Sequence, residues 1–402
     1  MENTIKKQVQ YYYIYWALVG TWFASGILFF FNRKYLDLGY LGILDAVVFA
    51  IGLLANIPAG ALADKFGRRK IVIIGVIVGG VGYSLWGFSV AGWMIVIGNL
   101  LYAIGISLQS GADEAMMYEY LKANGKEAVW QKVSATTNII ARTSFAIALC
   151  IGGIAYAYFD RLPFFLRGLT FFLMVIPLYK LSIIDKFQHT YKPEKVEESY
   201  WNHIKTGIRE LFKTNILWVV PIYLLVQGMS YAVFTDGLLR PLLYEHTGLP
   251  IRYISAAIAV SVVFTVFALL ILRKYAAKLN KPLAIFMLSL VCGIGFFVNL
   301  GNYLILSLIG LTLIQIATYV ISPMLSVQVN KKINPKHRAT ALSTTTFMEN
   351  ALYVIADPII GYMAAYGMLR QVIVGAVSIV FIGLVVSIVI YEALSKKNTK
   401  EL

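Results

Sequence analysis

The stretch Gly60-Ala-Leu-Ala-Asp-Lys-Phe-Gly-Arg-Arg-Lys70 decides how this chain is read. It packs four cations, one carboxylate and two glycines into eleven residues, and apolar runs of about twenty residues lie on both sides of it. Charge at that density cannot sit in hydrocarbon, so the stretch marks a short turn between two membrane-spanning helices. Gly60 lets two helices approach closely, and Gly67 permits a turn conformation that a Cβ would resist. Asp64 can accept hydrogen bonds from neighbouring backbone or pair with a cation. Arg68 and Arg69 present fixed charge on forked donors.

Composition agrees with this reading. The 402 residues are 59% hydrophobic and only 14% charged, with a mean hydropathy of +0.72. Soluble domains carry about 25% charged residues, so the chain reads as a polytopic, all-α membrane protein. Its net charge of +15 fits positive loops on the cytoplasmic side better than a nucleic-acid partner. Cys150 and Cys292 both fall inside apolar segments, so no disulfide framework is read. His189, His203, His246 and His337 lie away from mid-membrane and show no metal-ligand spacing; neither a metal nor a cofactor is expected. The first apolar run lacks a small-residue cleavage site after it and reads as a retained helix.

A spanning helix needs about 20 apolar residues. By that rule twelve segments are expected, at 10–31, 39–62, 71–89, 92–121, 131–158, 163–181, 214–244, 251–272, 282–300, 303–329, 339–362 and 367–391. With both termini cytoplasmic, the inner loops hold 27 of the 35 Lys and Arg residues. The outer loops then hold Arg33, Lys34, Arg161, Arg167, Arg240, Arg252 and Arg370, and Arg142 alone lies within a segment. That bias sets the orientation. The long polar stretch 182–213 is a cytoplasmic linker. It divides the chain into an N-terminal six-helix bundle (1–181) and a C-terminal one (214–402). Ser134-Ala-Thr-Thr137 opens segment five and Ser343-Thr-Thr-Thr346 opens segment eleven, a weak echo between the halves. Arg273 to Lys281 sits where the second half would repeat the 60–70 turn, and it keeps the charge but neither the Asp nor the Gly.

The turn resembles the signature loop of the major facilitator superfamily, G-x-L-a-D-r-x-G-r-[KR]. Gly60, Leu62, Asp64, Gly67, Arg68 and Arg69 match, and Lys65 stands where the family prefers Arg. The resemblance implies twelve transmembrane helices in two pseudo-symmetric six-helix bundles, related by an axis along the membrane normal. It further implies that segments one, four, seven and ten line a central cavity, and that charge relays between the loop and a helix latch the outward-facing state. The run Ser110-Gly-Ala-Asp-Glu-Ala-Met-Met-Tyr-Glu119 resembles the fourth segment of a bacterial drug-efflux branch, S-G-x-x-E-A-x-x-Y-D, with Glu119 replacing the Asp. Proton-coupled antiporters often carry G-x-x-x-G-P-x-x-G-G in segment five; Ser144, Ala148, Leu149, Gly152 and Gly153 align with it, and the proline is missing.

Ionisable groups at membrane depth are functional candidates by default. At a rise of about 1.5 Å per residue, Asp113 lies ~13 Å and Arg142 ~16 Å from the cytoplasmic ends of segments four and five, so the two can meet. Glu114 points about 100° away around the same helix. Glu119 lies near the signature turn and is the expected partner of Arg68 or Arg69. Glu349 is again ~16 Å deep, with no cation near it on its own segment. It is read as the group that carries a coupled proton, with Asp113, Glu114 and Arg142 as further members of that network. Asp45, Asp236 and Asp357 read as solvated rim residues. Polar and aromatic stripes supply the expected substrate cavity: Trp22 on segment one; Tyr102 and Gln109 on four; Tyr223, Gln227 and Tyr231 on seven; Gln315 and Tyr319 on ten. Spacings of 3 and 4 also suit plain helix packing, yet they equally suit an amphipathic pocket.

The function this supports is secondary active transport, as a proton-coupled exporter of amphipathic small molecules such as drugs or natural products. The alternative is a proton-coupled uptake symporter for a sugar or other small nutrient. A sugar site usually needs several carboxylates, Asn and Trp on one cavity, and the stripes here are poor in carboxylate. An intramembrane enzyme would need paired His or a His/Ser nucleophile arrangement, and a sensor would be expected to add a soluble domain; the sequence offers neither. The partners expected are a small-molecule substrate, protons and the lipid bilayer, with the protein a monomer in the cell membrane.

Overall fold

The computed structural model describes residues 2–110, 112–181, 209, 211, 216–234, 237–273, 281–333 and 338–400. The expected linker, Arg209 and Leu211 apart, lies outside them, as do Asp236 and most of the 273–281 loop. The described residues form helices and connecting turns. In bilayer hydrocarbon only a helix or a closed barrel satisfies every backbone polar group internally.

The helices are α1 (Glu2–Val19), α2 (Leu28–Asn32), α3 (Leu38–Phe66), α4 (Arg68–Gly87), α5 (Gly92–Gln109), α6 (Ala112–Ala123), α7 (Trp130–Tyr158) and α8 (Leu162–Lys180). After the linker come a short turn Val219–Pro221, a π-helical turn Ile222–Gln227, α9 (Gly228–Phe234) and α10 (Leu239–His246). The chain closes with α11 (Ile251–Arg273), α12 (Pro282–Phe297), α13 (Leu304–Lys332), α14 (Arg338–Ala365) and α15 (Leu369–Lys400). Pro163 and Pro282 sit in the first turns of α8 and α12, where a missing N–H costs nothing. Among the described residues, eight helical stretches are long and apolar enough to cross a membrane, and Leu38–Gly52 and Val219–Val233 are shorter apolar helices.

Three expected segments are not single α-helices. The first breaks between Val19 and Leu28: residues 20–27 form successive turns, and the Thr21 hydroxyl bonds back to the Leu18 carbonyl at 2.6 Å. The fourth breaks at Ser110, whose ψ of 122° is far from helical. The seventh carries the π-helical turn and ends at Phe234, with α10 beyond it. Hydropathy averages over a window and cannot see a short interruption inside an apolar run.

The chain divides into two compact units. One comprises Met1–Leu36, Val47–Glu194 and Ile251–Ala259; the other comprises Asp37–Ala46, Lys195–Pro250 and Val260–Leu402. Each contains the same packing device. In the first unit α4 and α5 meet at Gly82 and Gly98, where a Cβ on either would lie within 2.9 Å of the other's carbonyl oxygen. In the second, α12 and α13 meet at Gly295 and Gly310, where the same distances are 2.7 and 2.6 Å. Small residues let backbones touch where no hydrophobic effect drives helices together. Segments three and four of one half are thus matched by nine and ten of the other.

Candidate functional site

The signature stretch is mostly helix rather than loop. Residues 60–66 are the last two turns of α3, and Gly67 alone separates them from α4. Gly67 has φ 96°, a conformation that L side chains resist. Its N–H still donates to the Ala63 carbonyl at 3.0 Å, so the turn costs little hydrogen bonding. Arg68 and Arg69 therefore start α4, at a helix N-terminus that disfavours cations. Two acceptors answer them. The Glu119 carboxylate of α6 lies 2.8 Å from Arg68 Nη1, with both side chains about 15% exposed. Arg69 Nη1 donates to the Tyr179 carbonyl at 3.1 Å, at the C-terminal end of α8 where the dipole welcomes a cation. The side chain of Asp64 lies outside the described residues.

Deeper in the first unit, a cavity of about 320 Å³ is lined by Val19, Gly20, Trp22, Ile106, Gln109, Asn138, Ala141, Arg142, Phe145, Arg167 and Met174. Three of the residues singled out by sequence, Trp22, Gln109 and Arg142, line it together. Tyr102 stands behind Trp22, edge-on with ring centroids 6.0 Å apart. Asp113 is buried at the start of α6. Its Oδ1 accepts from the Glu114 N–H at 2.8 Å and its Oδ2 from the Tyr15 hydroxyl at 3.3 Å. Tyr15 is fully buried and also reaches Gln109 Oε1 at 3.4 Å, so it links Asp113 to the cavity wall. Glu114 is exposed on the other side of α6. The aligned small residues of segment five serve close packing: a Cβ on Gly152 would run into the Phe23 carbonyl, and one on Gly153 would lie 3.0 Å from Ser255 Cβ.

Arg167 corrects the sequence reading. It is not in an outer loop but six residues into α8, and it is only 1% exposed. Its Nη1 donates to the Leu18 carbonyl at 3.0 Å and the Thr21 carbonyl at 3.3 Å. The guanidinium lies 4.4 Å from the Phe171 ring centroid and 5.7 Å from that of Trp22. The break after Val19 explains this. It leaves carbonyls at the negative end of α1 without helical partners, and a cation answers them. Arg142 is therefore not the sole cation within a segment. Arg240 is corrected likewise: it lies in α10 and is 8% exposed. In the connections after α2 and α7, the Lys34 ammonium meets Asp160 at 2.7 Å and Arg161 donates to the Tyr35 hydroxyl at 3.2 Å. Burial lowers the Lys34 ammonium, but its hydrogen bonds to Asp160 and Tyr156 and the charge attraction of both together leave it above the usual lysine value.

In the second unit, Glu349 of α14 accepts a hydrogen bond from the Ser322 hydroxyl of α13 and faces Tyr223 of the π-helical turn. Its Oε1 is buried with no partner among the described residues. Tyr223 hydrogen-bonds Thr345, one turn before Glu349. Gln227 is buried and donates to the Thr318 carbonyl at 3.2 Å. Gln315 Oε1 accepts from Ser261 at 2.6 Å. Tyr231 meets Tyr353 edge-on with ring centroids 6.1 Å apart, and Tyr319 is 40% exposed. The π turn widens the helix by one residue, a feature that frequently marks functional sites.

Asp357 is a further correction. It is fully buried rather than a solvated rim residue. It accepts from the Leu238 N–H at 3.3 Å and hydrogen-bonds the side chains of Asp45 and Tyr353. A carboxylate only accepts, so a hydrogen bond between two carboxyl groups requires a proton on one of them. Hydropathy places an Asp near a segment end but cannot say whether another helix covers it.

Comparisons with known proteins follow the fold. The family model described as Major Facilitator Superfamily matches residues 12–357. The chain is 21% identical over 254 residues to multidrug resistance protein 2 of Bacillus subtilis (strain 168), a match that spans 61% of this chain and 59% of that relative's length. It is 22% identical over 314 residues to an uncharacterized transporter of Buchnera aphidicola, covering 77% of this chain and 75% of the relative. Among solved structures, the nucleoside transporter NupG superposes with a TM-score of 0.74 at 14% identity, covering 98% of this chain and 99% of the other. The peptide transporter POT in complex with sulfate gives 0.68 at 14% identity, covering 97% and 95%. At these identities the structural likeness speaks for the fold alone. The signature turn, the glycine seams repeated in the two units and the family match lead to one conclusion: this chain belongs to the major facilitator superfamily, as an integral membrane secondary transporter of the twelve-helix fold and not an enzyme.

Proposed function

We propose that the protein exports amphipathic small molecules, drugs or natural products, in exchange for protons, by alternating access in the cell membrane with both termini cytoplasmic. The observation that carries this reading is the first-unit cavity, which combines aromatic surface from Trp22 and Phe145 with a few hydrogen-bonding groups such as Gln109 and Asn138. That lining suits amphipathic ligands better than sugars, which call for a denser set of polar groups. The partial similarity to a multidrug resistance protein points the same way. Glu349 carries the coupled proton in this reading. One of its carboxyl oxygens is buried with no partner among the described residues, and in this reading the group takes and releases a proton as its surroundings open to water. Arg68 with Glu119, and Asp64 of the same signature stretch, latch one conformation. The protein works as a monomer.

The test has two arms. In an efflux-deficient host, expression is expected to raise tolerance at least fourfold for some members of a panel of cationic, zwitterionic, anionic and neutral compounds. Unchanged tolerance across the panel, with accumulation of a nutrient instead, would replace export by uptake. In vesicles with an imposed pH gradient, Glu349→Gln, which imitates the protonated carboxyl, is expected to abolish gradient-driven transport and to leave substrate binding within about twofold of wild type. Full gradient-driven transport by that variant would remove Glu349 from the coupling role and turn attention to the Asp45–Asp357 pair.

A further inference from the structure

We infer that the first-unit cavity selects substrates with an anionic group, a carboxylate, sulfonate or phosphate on an aromatic or aliphatic body. This rests on the reading of the chain as a transporter of amphipathic molecules and names the class it takes.

Arg142 and Arg167 line one cavity, and no carboxylate lines it among the described residues. Arg167 is 1% exposed and has no carboxylate ion-pair partner among those residues. Its contacts are carbonyls and the hydroxyl of Thr21, the rings of Phe171, Trp22 and Tyr83, and nothing at all for its Nε. An isolated cation in such surroundings is expensive, and the cost is met by a counter-charge or by function.

The purely structural explanation is that Arg167 caps the C-terminal end of α1. That accounts for Nη1 but not for the rest. A helix C-terminus offers roughly half a negative charge, and aromatic rings add attraction without neutralising anything. A unit positive charge in a low-dielectric pocket is left partly uncompensated, and the buried Nε–H has no acceptor. Arg142 brings a second guanidinium to the same wall. Asp113, the buried carboxyl that Tyr15 connects to Gln109 of the cavity wall, has its oxygens engaged by Tyr15 and the Glu114 N–H. The forked donors of arginine match the paired oxygens of a carboxylate or phosphate. Trp22, Phe145 and Ile106 supply an apolar wall for the body of the same molecule. A volume of about 320 Å³ lies at the low end of small-molecule pockets, so the body is one or two rings in size.

The experiment uses the purified full-length protein in nanodiscs and three probes of one shape: 1-naphthoate, 1-naphthamide and (1-naphthyl)methylammonium. Calorimetric titration is expected to show naphthoate binding at least tenfold tighter than the amide, with the ammonium weakest. Arg142→Gln and Arg167→Gln are each expected to remove most of that preference, read as the ratio of naphthoate to amide affinity in the same variant. Should Arg167→Gln fail to fold, Arg167→Lys keeps the charge and loses the fork; it is expected to bind naphthoate several-fold more weakly and still to prefer it over the amide. Equal or tighter binding of the amide or the ammonium, binding of none of the three, or an undiminished preference in both the Arg142 variant and the folded Arg167 variant would each overturn the inference. Binding at equilibrium is blind to flux direction and to protons. A failure of the export reading in cells therefore leaves this result standing, and a failure here leaves export open.

Discussion

Arg167 and Arg142 show how far a single residue can be placed from sequence. Arg142 sits in the middle of a long apolar run, and its depth is legible by counting. Arg167 follows Arg161 by six residues and reads with it as an outer cation, yet α8 is already under way at Leu162. Its burial depends on a partner the sequence does not announce, the open C-terminal end of α1. The signal that would have found it is its position more than a turn inside an otherwise apolar helix. Arg68 is the opposite case. Its motif position is plain, and the tertiary contact with Glu119 follows at 2.8 Å. Exposed ion pairs contribute a fraction of a kcal/mol and buried ones several when one partner is removed. At this burial Arg68→Ala is expected to lose about 1–3 kcal/mol from the conformation that holds the pair. Arg68→Glu and Glu119→Arg singly are expected to slow transport by tenfold or more, and the double swap to recover at least a third of the wild-type rate. A double variant no faster than the singles, at equal membrane expression, would deny the pair a latching role.

At the scale of the element, the helices themselves were legible because a run of about 20 apolar residues has little choice in a bilayer. Their interruptions were not. The breaks at 20–27 and at Ser110 and the π turn at Ile222–Gln227 are where the polar side chains of both clusters gather. Each interruption frees backbone groups or rotates a face, and neighbouring helices then decide what fills the gap. Segment five illustrates packing of the same kind. The backbone of Phe23, in the broken part of segment one, lies where a side chain on Gly152 would go. Overpacking a core by a methylene or two costs about 1–3 kcal/mol when side chains can yield; a backbone carbonyl yields less. Gly152→Val is thus expected to lower the thermal midpoint of the purified protein by several degrees and to reduce transport. The exposed neighbour Ile151→Val is expected to change neither by a measurable amount. Equal midpoints for the two variants would show that α7 moves away freely.

For the whole molecule, the charge asymmetry of the loops predicts orientation. In a background lacking Cys150 and Cys292, Tyr158→Cys at the end of α7 is expected to react with a membrane-impermeant maleimide on intact cells. Lys126→Cys, exposed between α6 and α7, is expected to react only after permeabilisation. The reverse pattern would invert the topology and with it the direction assigned to the proton. Sequence alone determined that this is a membrane-embedded helical transporter of the superfamily. Apolar run length, loop charge and the Gly60–Lys70 pattern are local properties that a bilayer enforces segment by segment. Only the tertiary structure decided which charges are buried and what they face. Arg167 at the open end of α1, Asp357 against Asp45, Tyr15 between Asp113 and Gln109, and Glu349 beside Ser322 and Tyr223 each join residues far apart in the chain. Their surroundings are set by helix breaks and close backbone approach, which no periodicity along one segment records.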